Sequence, residues 1–169
     1  MKNTQNIFLI GFMGAGKSTI SKALSKKLNM DIVEMDQRIV EEQGMTINEI
    51  FEKFGESRFR DIESQLILDL GNTKAAIVSC GGGVVVRQEN SQYMKKSGKV
   101  VFLTATPETI FERVRYSKER PILNGNMNVE FIADLMAKRL PLYEAAADFI
   151  IHTDGKTAAE IADEIIESL

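Results

Sequence analysis

The sequence predicts a three-layer α/β/α fold in which helices cover both faces of a central five-stranded parallel sheet. Three observations lead there. Short apolar runs of strand length alternate with amphipathic helical patterns along the chain. The first of these strands runs directly into a glycine-rich turn that opens a helix. With 169 residues, 44% hydrophobic and 27% charged, the chain has the material for one core, and residues 1–169 are read as one domain.

Residues 7–10, Ile-Phe-Leu-Ile, form the first buried strand, and Ile20, Ala23, Leu24 and Leu28 mark one face of the helix that follows. Residues 31–35 are extended and precede a helical stretch ending near Gly44. Thr46 and Glu49 have the spacing of a capping box, opening a helix with Ile47, Ile50, Phe51 and Phe54 that Gly55 closes. A further helix follows directly, with Phe59, Ile62, Leu66 and Leu70 at helical spacing, and stops at Gly71. Residues 75–79 are the third strand, ended by Gly81-Gly82-Gly83, and residues 99–103 the fourth.

Thr106-Pro107 then reads as an N-cap with proline at the first helical position, continued by Ile110, Phe111 and Val114. The sequence turns polar between Tyr116 and Asn128, which predicts a mobile loop able to act as a lid over residues of about 114–127. A helix from about Val129 carries Phe131, Ile132, Leu135 and Met136. Residues 149–151 give the fifth strand, and residues 158–169 a final amphipathic helix. Buried strands interleaved with helices require a parallel sheet covered on both sides.

A net charge of -3 argues against a nucleic-acid or anionic-membrane partner held by bulk electrostatics, so an anion site must be local. The single cysteine, Cys80, excludes an internal disulfide framework, and no stretch reaches the ~20 apolar residues of a membrane span. A cytoplasmic location is expected. Cys80, His152 and the eight scattered methionines are read as structural.

Residues 11–19, Gly-Phe-Met-Gly-Ala-Gly-Lys-Ser-Thr, match G-x-x-x-x-G-K-[ST] between a strand and a helix, the context of a phosphate-binding P-loop. Glycines let the backbone wrap phosphate oxygens, so that the N–H groups of Gly14, Ala15, Gly16, Lys17, Ser18 and Thr19 face the anion at a helix N-terminus. Lys17 would reach the outer phosphates, and the Ser18 hydroxyl would ligate Mg²⁺. Neither a D-x-x-G switch nor an N-K-x-D guanine reader occurs, which favours a compact phosphotransferase over a GTPase.

The acceptor half is sought among acids and arginines. Glu34 and Asp36, two apart in an extended segment, would point to one side near a strand's carboxyl end, where open α/β sheets bind ligands. One could orient a metal's water shell while the other guides an acceptor hydroxyl. Arg60 and Arg139 lie on amphipathic helices, and Arg120-Pro121 in the polar loop. Taken singly, each fits a solvated helix-face charge as well as a carboxylate or phosphate partner.

As a set, in this order and with this spacing, the P-loop at 11–19, the acid-x-Asp pair at 34–36, Phe59-Arg60-x-x-Glu63, Gly81-Gly82-Gly83, Arg120-Pro121 and Met136-Ala137-Lys138-Arg139-x-Pro141-Leu142-Tyr143 resemble shikimate kinase over nearly the whole chain. The resemblance implies an ATP- and Mg²⁺-dependent kinase that phosphorylates a shikimate hydroxyl in aromatic amino-acid synthesis; a monomer is expected. It implies a small helical substrate-binding insertion at about 36–63. Asp36 would contact the shikimate hydroxyls as general base or orienting acid, Arg60 and Arg139 would grip the carboxylate, and the 81–83 glycines would add backbone contacts. Lys17 and Arg120, the lid arginine, would serve catalysis, with Arg113 and Lys156 near the adenine, and Phe51 and Phe59 would line the substrate region or simply fill the core. Glu34 departs from the family's usual Asp, so it is given no direct metal ligation. A gluconate or nucleoside monophosphate kinase, and a non-catalytic nucleotide-binding regulator, are the rival readings.

Overall fold

A computed structural model describes residues 4–115 and 128–169. Five parallel strands form one sheet: β1 (Asn6–Ile10), β2 (Asp31–Glu34), β3 (Ala76–Ser79), β4 (Gly98–Thr104) and β5 (Phe149–His152), in the order β2-β3-β1-β4-β5. Seven α-helices accompany them among the described residues: α1 (Lys17–Leu28), α2 (Met35–Gln43), α3 (Ile47–Leu70), α4 (Gln88–Ser97), α5 (Pro107–Val114), α6 (Val129–Ala146) and α7 (Ala158–Ser168).

The continuous apolar run of β1 follows from its central place. Phe8 and Ile10 join a cluster with Val78, Phe102 and residues of α3 and α6, whereas Ile7 and Leu9 join Ile20, Leu24, Ile161 and Ile165 of α1 and α7 on the other face. Both faces are buried, so residues 7–10 show neither alternation nor polarity. Register then places the functional segments. Ser79 of β3 lies between Leu9 of β1 and Glu34 of β2, so the glycine loop, the acidic segment and the triple glycine all leave the sheet at one end.

The caps expected from sequence are present. Thr46 and Glu49 form the full capping box of α3, and Thr106 accepts from the Thr109 amide ahead of Pro107. Gly55 interrupts α3 with φ 83° and ψ 169°, so one long helix is in fact two segments meeting at a kink. Two expectations need correction. Residues 88–97 form a helix that the sequence reading passes over, and the chain is not extended through Asp36. β2 ends at Glu34, and Asp36 sits in the first turn of α2.

Candidate active site

The phosphate loop takes its shape from positive-φ glycines, Gly14 at 82° and Gly16 at 98°, where a side chain would be strained. Gly16 is the N-cap of α1, whose first turn holds no acid to compete with a bound anion. The Lys17 ammonium is buried and donates to the carbonyl oxygens of Gly11 at 2.8 Å and Phe12 at 3.0 Å, which arches the side chain back over the loop. Arg113 Nη1 donates to the Gly14 carbonyl over 2.9 Å, so its guanidinium rests on the rim of the same loop.

A cleft of about 510 Å³ opens from this loop and is lined by Lys17, Ser18, Glu34, Asp36 and the Gly81-Gly82 backbone. The Ser18 hydroxyl donates to Glu34 Oε2 over 3.0 Å. Among the described residues no cluster of three or more histidines, cysteines or acids is able to hold a metal by itself. A hydroxyl with one carboxylate behind it fits Mg²⁺, which keeps several waters and takes its remaining oxygens from phosphates.

The second half of the site is a buried charge cluster. Arg60, 5% exposed, donates from Nη1 to Glu63 Oε1 and from Nη2 to Glu56 Oε1, each at 3.1 Å. The spacings of four and three residues put all three on one face of α3. Arg139 of α6 is 6% exposed and stands over the Phe12 ring at 5.8 Å, while Arg60 stands over Phe59 at 5.2 Å. Neither is the solvated helix-face charge that a lone arginine usually is.

Three buried polar atoms in this cluster, Arg60 Nε, Glu63 Oε2 and Arg139 Nη1, have no hydrogen-bond partner among the described residues. Buried groups of this kind are costly unless something pairs with them, and two guanidinium nitrogens suit a small carboxylate. The glycines set the clearances. A Cβ on Gly81 would lie 2.9 Å from both Asp36 Oδ1 and Glu63 Oε2, and a Cβ on Gly83 would overlap the Arg60 guanidinium. At Gly82 it would come within 3.3 Å of the Met13 amide nitrogen, which ties this turn to the phosphate loop.

Burial also sets protonation. Desolvation pushes the Glu63 carboxyl up to about 7; the Arg60 charge and hydrogen bond pull the other way, Asp36 adds to the rise and Arg139 opposes it. Burial likewise raises the Cys80 thiol, so it stays protonated as the inert core residue expected of it. At the start of α5, burial pushes Asp154 up, but hydrogen bonds from the Thr109 hydroxyl and the Thr106 amide outweigh it and lower its pKa.

The structure therefore brings Lys17, Ser18, Glu34, Asp36 and Gly81-Gly82 around one cleft, with Arg60 and Arg139 beside it. Lys156 is elsewhere engaged, its ammonium paired with Glu164 at 2.8 Å. Phe51 and Phe59 pack with ring centroids 5.2 Å apart; Phe59 belongs to the core cluster and the partly buried Phe51 packs against it. Arg120 and almost all of the expected lid lie outside the described residues. Glu56, Glu63 and Tyr143 carry no role in the sequence reading, although Glu63 and Tyr143 lie inside its motifs; helical spacing from Arg60 and Arg139 was the available signal.

Comparison with known proteins finds relatives over nearly the whole chain. The family model for shikimate kinase matches residues 13–169. The chain is 47% identical to the shikimate kinase of Thermodesulfovibrio yellowstonii over 163 residues, covering 96% of this chain and 94% of that protein. It is 42% identical to the Geobacter sulfurreducens shikimate kinase, covering 95% and 88%. Among solved structures, shikimate kinase from Acinetobacter baumannii in complex with shikimate superposes with a TM-score of 0.93 at 34% identity, covering 98% of this chain and 93% of that one.

Proposed function

The chain belongs to the shikimate kinase family and phosphorylates shikimate from ATP with Mg²⁺; from that premise we propose how its own side chains divide the work. The observation that carries the division is the pair of buried arginines with unpartnered nitrogens beside Asp36 and the triple-glycine turn. Arg60 and Arg139 hold the shikimate carboxylate, one from α3 and one from α6, so the ring is fixed from two directions. A carboxylate so held places the ring hydroxyls toward Asp36, with the backbone of Gly81, Gly82 and Gly83 forming the wall.

Asp36 orients the attacking hydroxyl and takes its proton as the oxygen forms its bond to the transferred phosphorus. Its place in the first turn of α2 sets it at the carboxyl end of β2, on the cleft. On the donor side the amides of Gly14, Ala15, Gly16, Ser18 and Thr19 line the phosphates at the N-terminus of α1. Lys17 exchanges its loop carbonyls for phosphate oxygens, giving a positive charge where negative charge moves toward the leaving diphosphate. Arg113, already on the Gly14 carbonyl, flanks the nucleotide base. Arg120 is assigned to the leaving group by resemblance alone, and Lys156 to the adenine on the same footing.

Ser18 would hold Mg²⁺, with the Glu34 carboxylate hydrogen-bonded behind it; the ion would supply charge neutralisation for the outer phosphates. Among the described residues no helix is long and apolar enough to cross a membrane.

The test is Arg139→Ala, assayed against shikimate and its carboxamide analogue. Loss of a charge-assisted contact of roughly 1.5–3 kcal/mol should raise the shikimate KM at least tenfold, leave the ATP KM unchanged and move the carboxamide KM little. Equal losses for ATP and shikimate would refute the assignment.

A further inference from the structure

Tyr143 follows Arg139 by four residues on α6, so the two side chains share a face. Its ring is 2% exposed and stacks on Phe102 with centroids 4.8 Å apart. Packing alone would be met equally well by phenylalanine. The hydroxyl instead donates to the Gly82 carbonyl oxygen, and the positive charge of Arg139 acts on the same hydroxyl. A phenol can accept one such bond while donating another. Gly82 is itself wedged between the two halves of the site: a Cβ there would lie 3.3 Å from the Met13 amide nitrogen and 3.8 Å from both Arg139 Nη1 and the Gly11 carbonyl oxygen.

We propose that Tyr143 is a positioning residue for shikimate, its hydroxyl bridging the Arg139 guanidinium to the Gly82 carbonyl and so fixing the carboxylate grip against the turn that abuts the phosphate loop. The inference rests on the reading of Arg139 as a carboxylate partner. A guanidinium makes paired bonds only when its plane is set correctly, and an arginine on a flexible stem must be held there. The Phe12 face restrains one side of the Arg139 plane, and the Tyr143 oxygen fixes its rotation within that plane. Burial raises the phenol to about 12, against the pull of the Arg139 charge, so the hydroxyl keeps the proton that it donates to Gly82.

The experiment is Tyr143→Phe, which keeps the ring and its stack on Phe102 and removes only the oxygen. KM values for shikimate, for its carboxamide analogue and for ATP are measured on this variant and on Arg139→Ala. The expected result is a shikimate KM raised about tenfold, a larger change than that in kcat, with the ATP KM unchanged and the carboxamide KM moved less than threefold. An unchanged shikimate KM, or all three KM values rising together, would overturn the proposal. Should the phenylalanine variant fail to fold, 3-fluorotyrosine at position 143 weakens the hydroxyl as an acceptor from Arg139, and a rise in shikimate KM without one for the carboxamide is then required. A normal Tyr143→Phe beside an impaired Arg139→Ala refutes this inference alone. Two unimpaired variants refute the reading of Arg139 on which it rests.

Discussion

Ser18 and Glu34 meet across the cleft, the Ser18 hydroxyl donating to Glu34 Oε2 over 3.0 Å. The residue next to the phosphates is thus oriented by a carboxylate from the neighbouring segment, and glutamate at 34 reaches it from the end of β2. Glu34→Gln keeps an oxygen to accept from Ser18 but removes the charge. The expected outcome is about a tenfold higher Mg²⁺ concentration for half-maximal rate, with shikimate KM unchanged. A Mg²⁺ titration at saturating substrates measures it, and an unaltered titration would detach Glu34 from the metal.

Gly83→Ala tests the Arg60 site without touching a charge. Gly83 has φ -98°, open to alanine, so the backbone is not strained. The new methyl would overlap the Arg60 guanidinium, which two glutamates hold in place and which has little freedom to retreat. Shikimate KM should rise at least tenfold while ATP binding survives. Separate titrations of the two substrates decide this.

Glu63 makes stability depend on pH. In the folded protein it keeps its proton up to about pH 7, against an ordinary value of 4.5. Between those values the native state binds more protons than the unfolded chain, so its stability falls as pH rises, by on the order of 3 kcal/mol across the window. Glu63→Gln should flatten that slope in urea melts at pH 5 and pH 8, the measure being the difference between variant and wild type.

The same carboxyl reports on substrate. Glu63 faces Arg60, Asp36 and Arg139, and a second anion placed among them makes its ionised form less favourable. Shikimate binding should therefore take up a fraction of a proton near pH 7.5, and Glu63→Gln should abolish the uptake. Calorimetry in two buffers of different ionisation enthalpy resolves it; the same uptake in the variant would place the proton elsewhere.

Asp36→Asn retains the shape and one acceptor oxygen but not the charge. Turnover should drop at least about a hundredfold with shikimate KM changed much less. A near-normal kcat would remove Asp36 from proton transfer.

What could be read from the sequence divides along the range of the interactions. The phosphate loop was legible because its geometry is local: glycines at positive φ, then Lys17 and Ser18 opening a helix. Asp36 was found by its place after β2 but in the wrong conformation, because the helix that begins at Met35 has no side-chain cap to announce it. Residues 88–97 were missed for want of an apolar stripe; only Met94 and Asn90 of that helix are buried, and Asn90 is held by a hydrogen bond to the Val84 carbonyl rather than by apolar packing. Arg60 and Arg139 look alike in sequence to any surface arginine, and only the packing of α3 and α6 against the sheet shows them buried. Glu63 and Tyr143 sat at helical spacing from those arginines, yet what makes them matter is the approach of Gly81 and Gly82 from a distant turn.

The cleft moves phosphate from ATP to one acidic acceptor. ADP formation followed by a coupled assay, with shikimate added or omitted and with gluconate and nucleoside monophosphates as alternatives, tests it most directly. ADP release should require shikimate and match the shikimate phosphate formed. Release that is indifferent to shikimate, or that follows gluconate or a nucleotide instead, would contradict it.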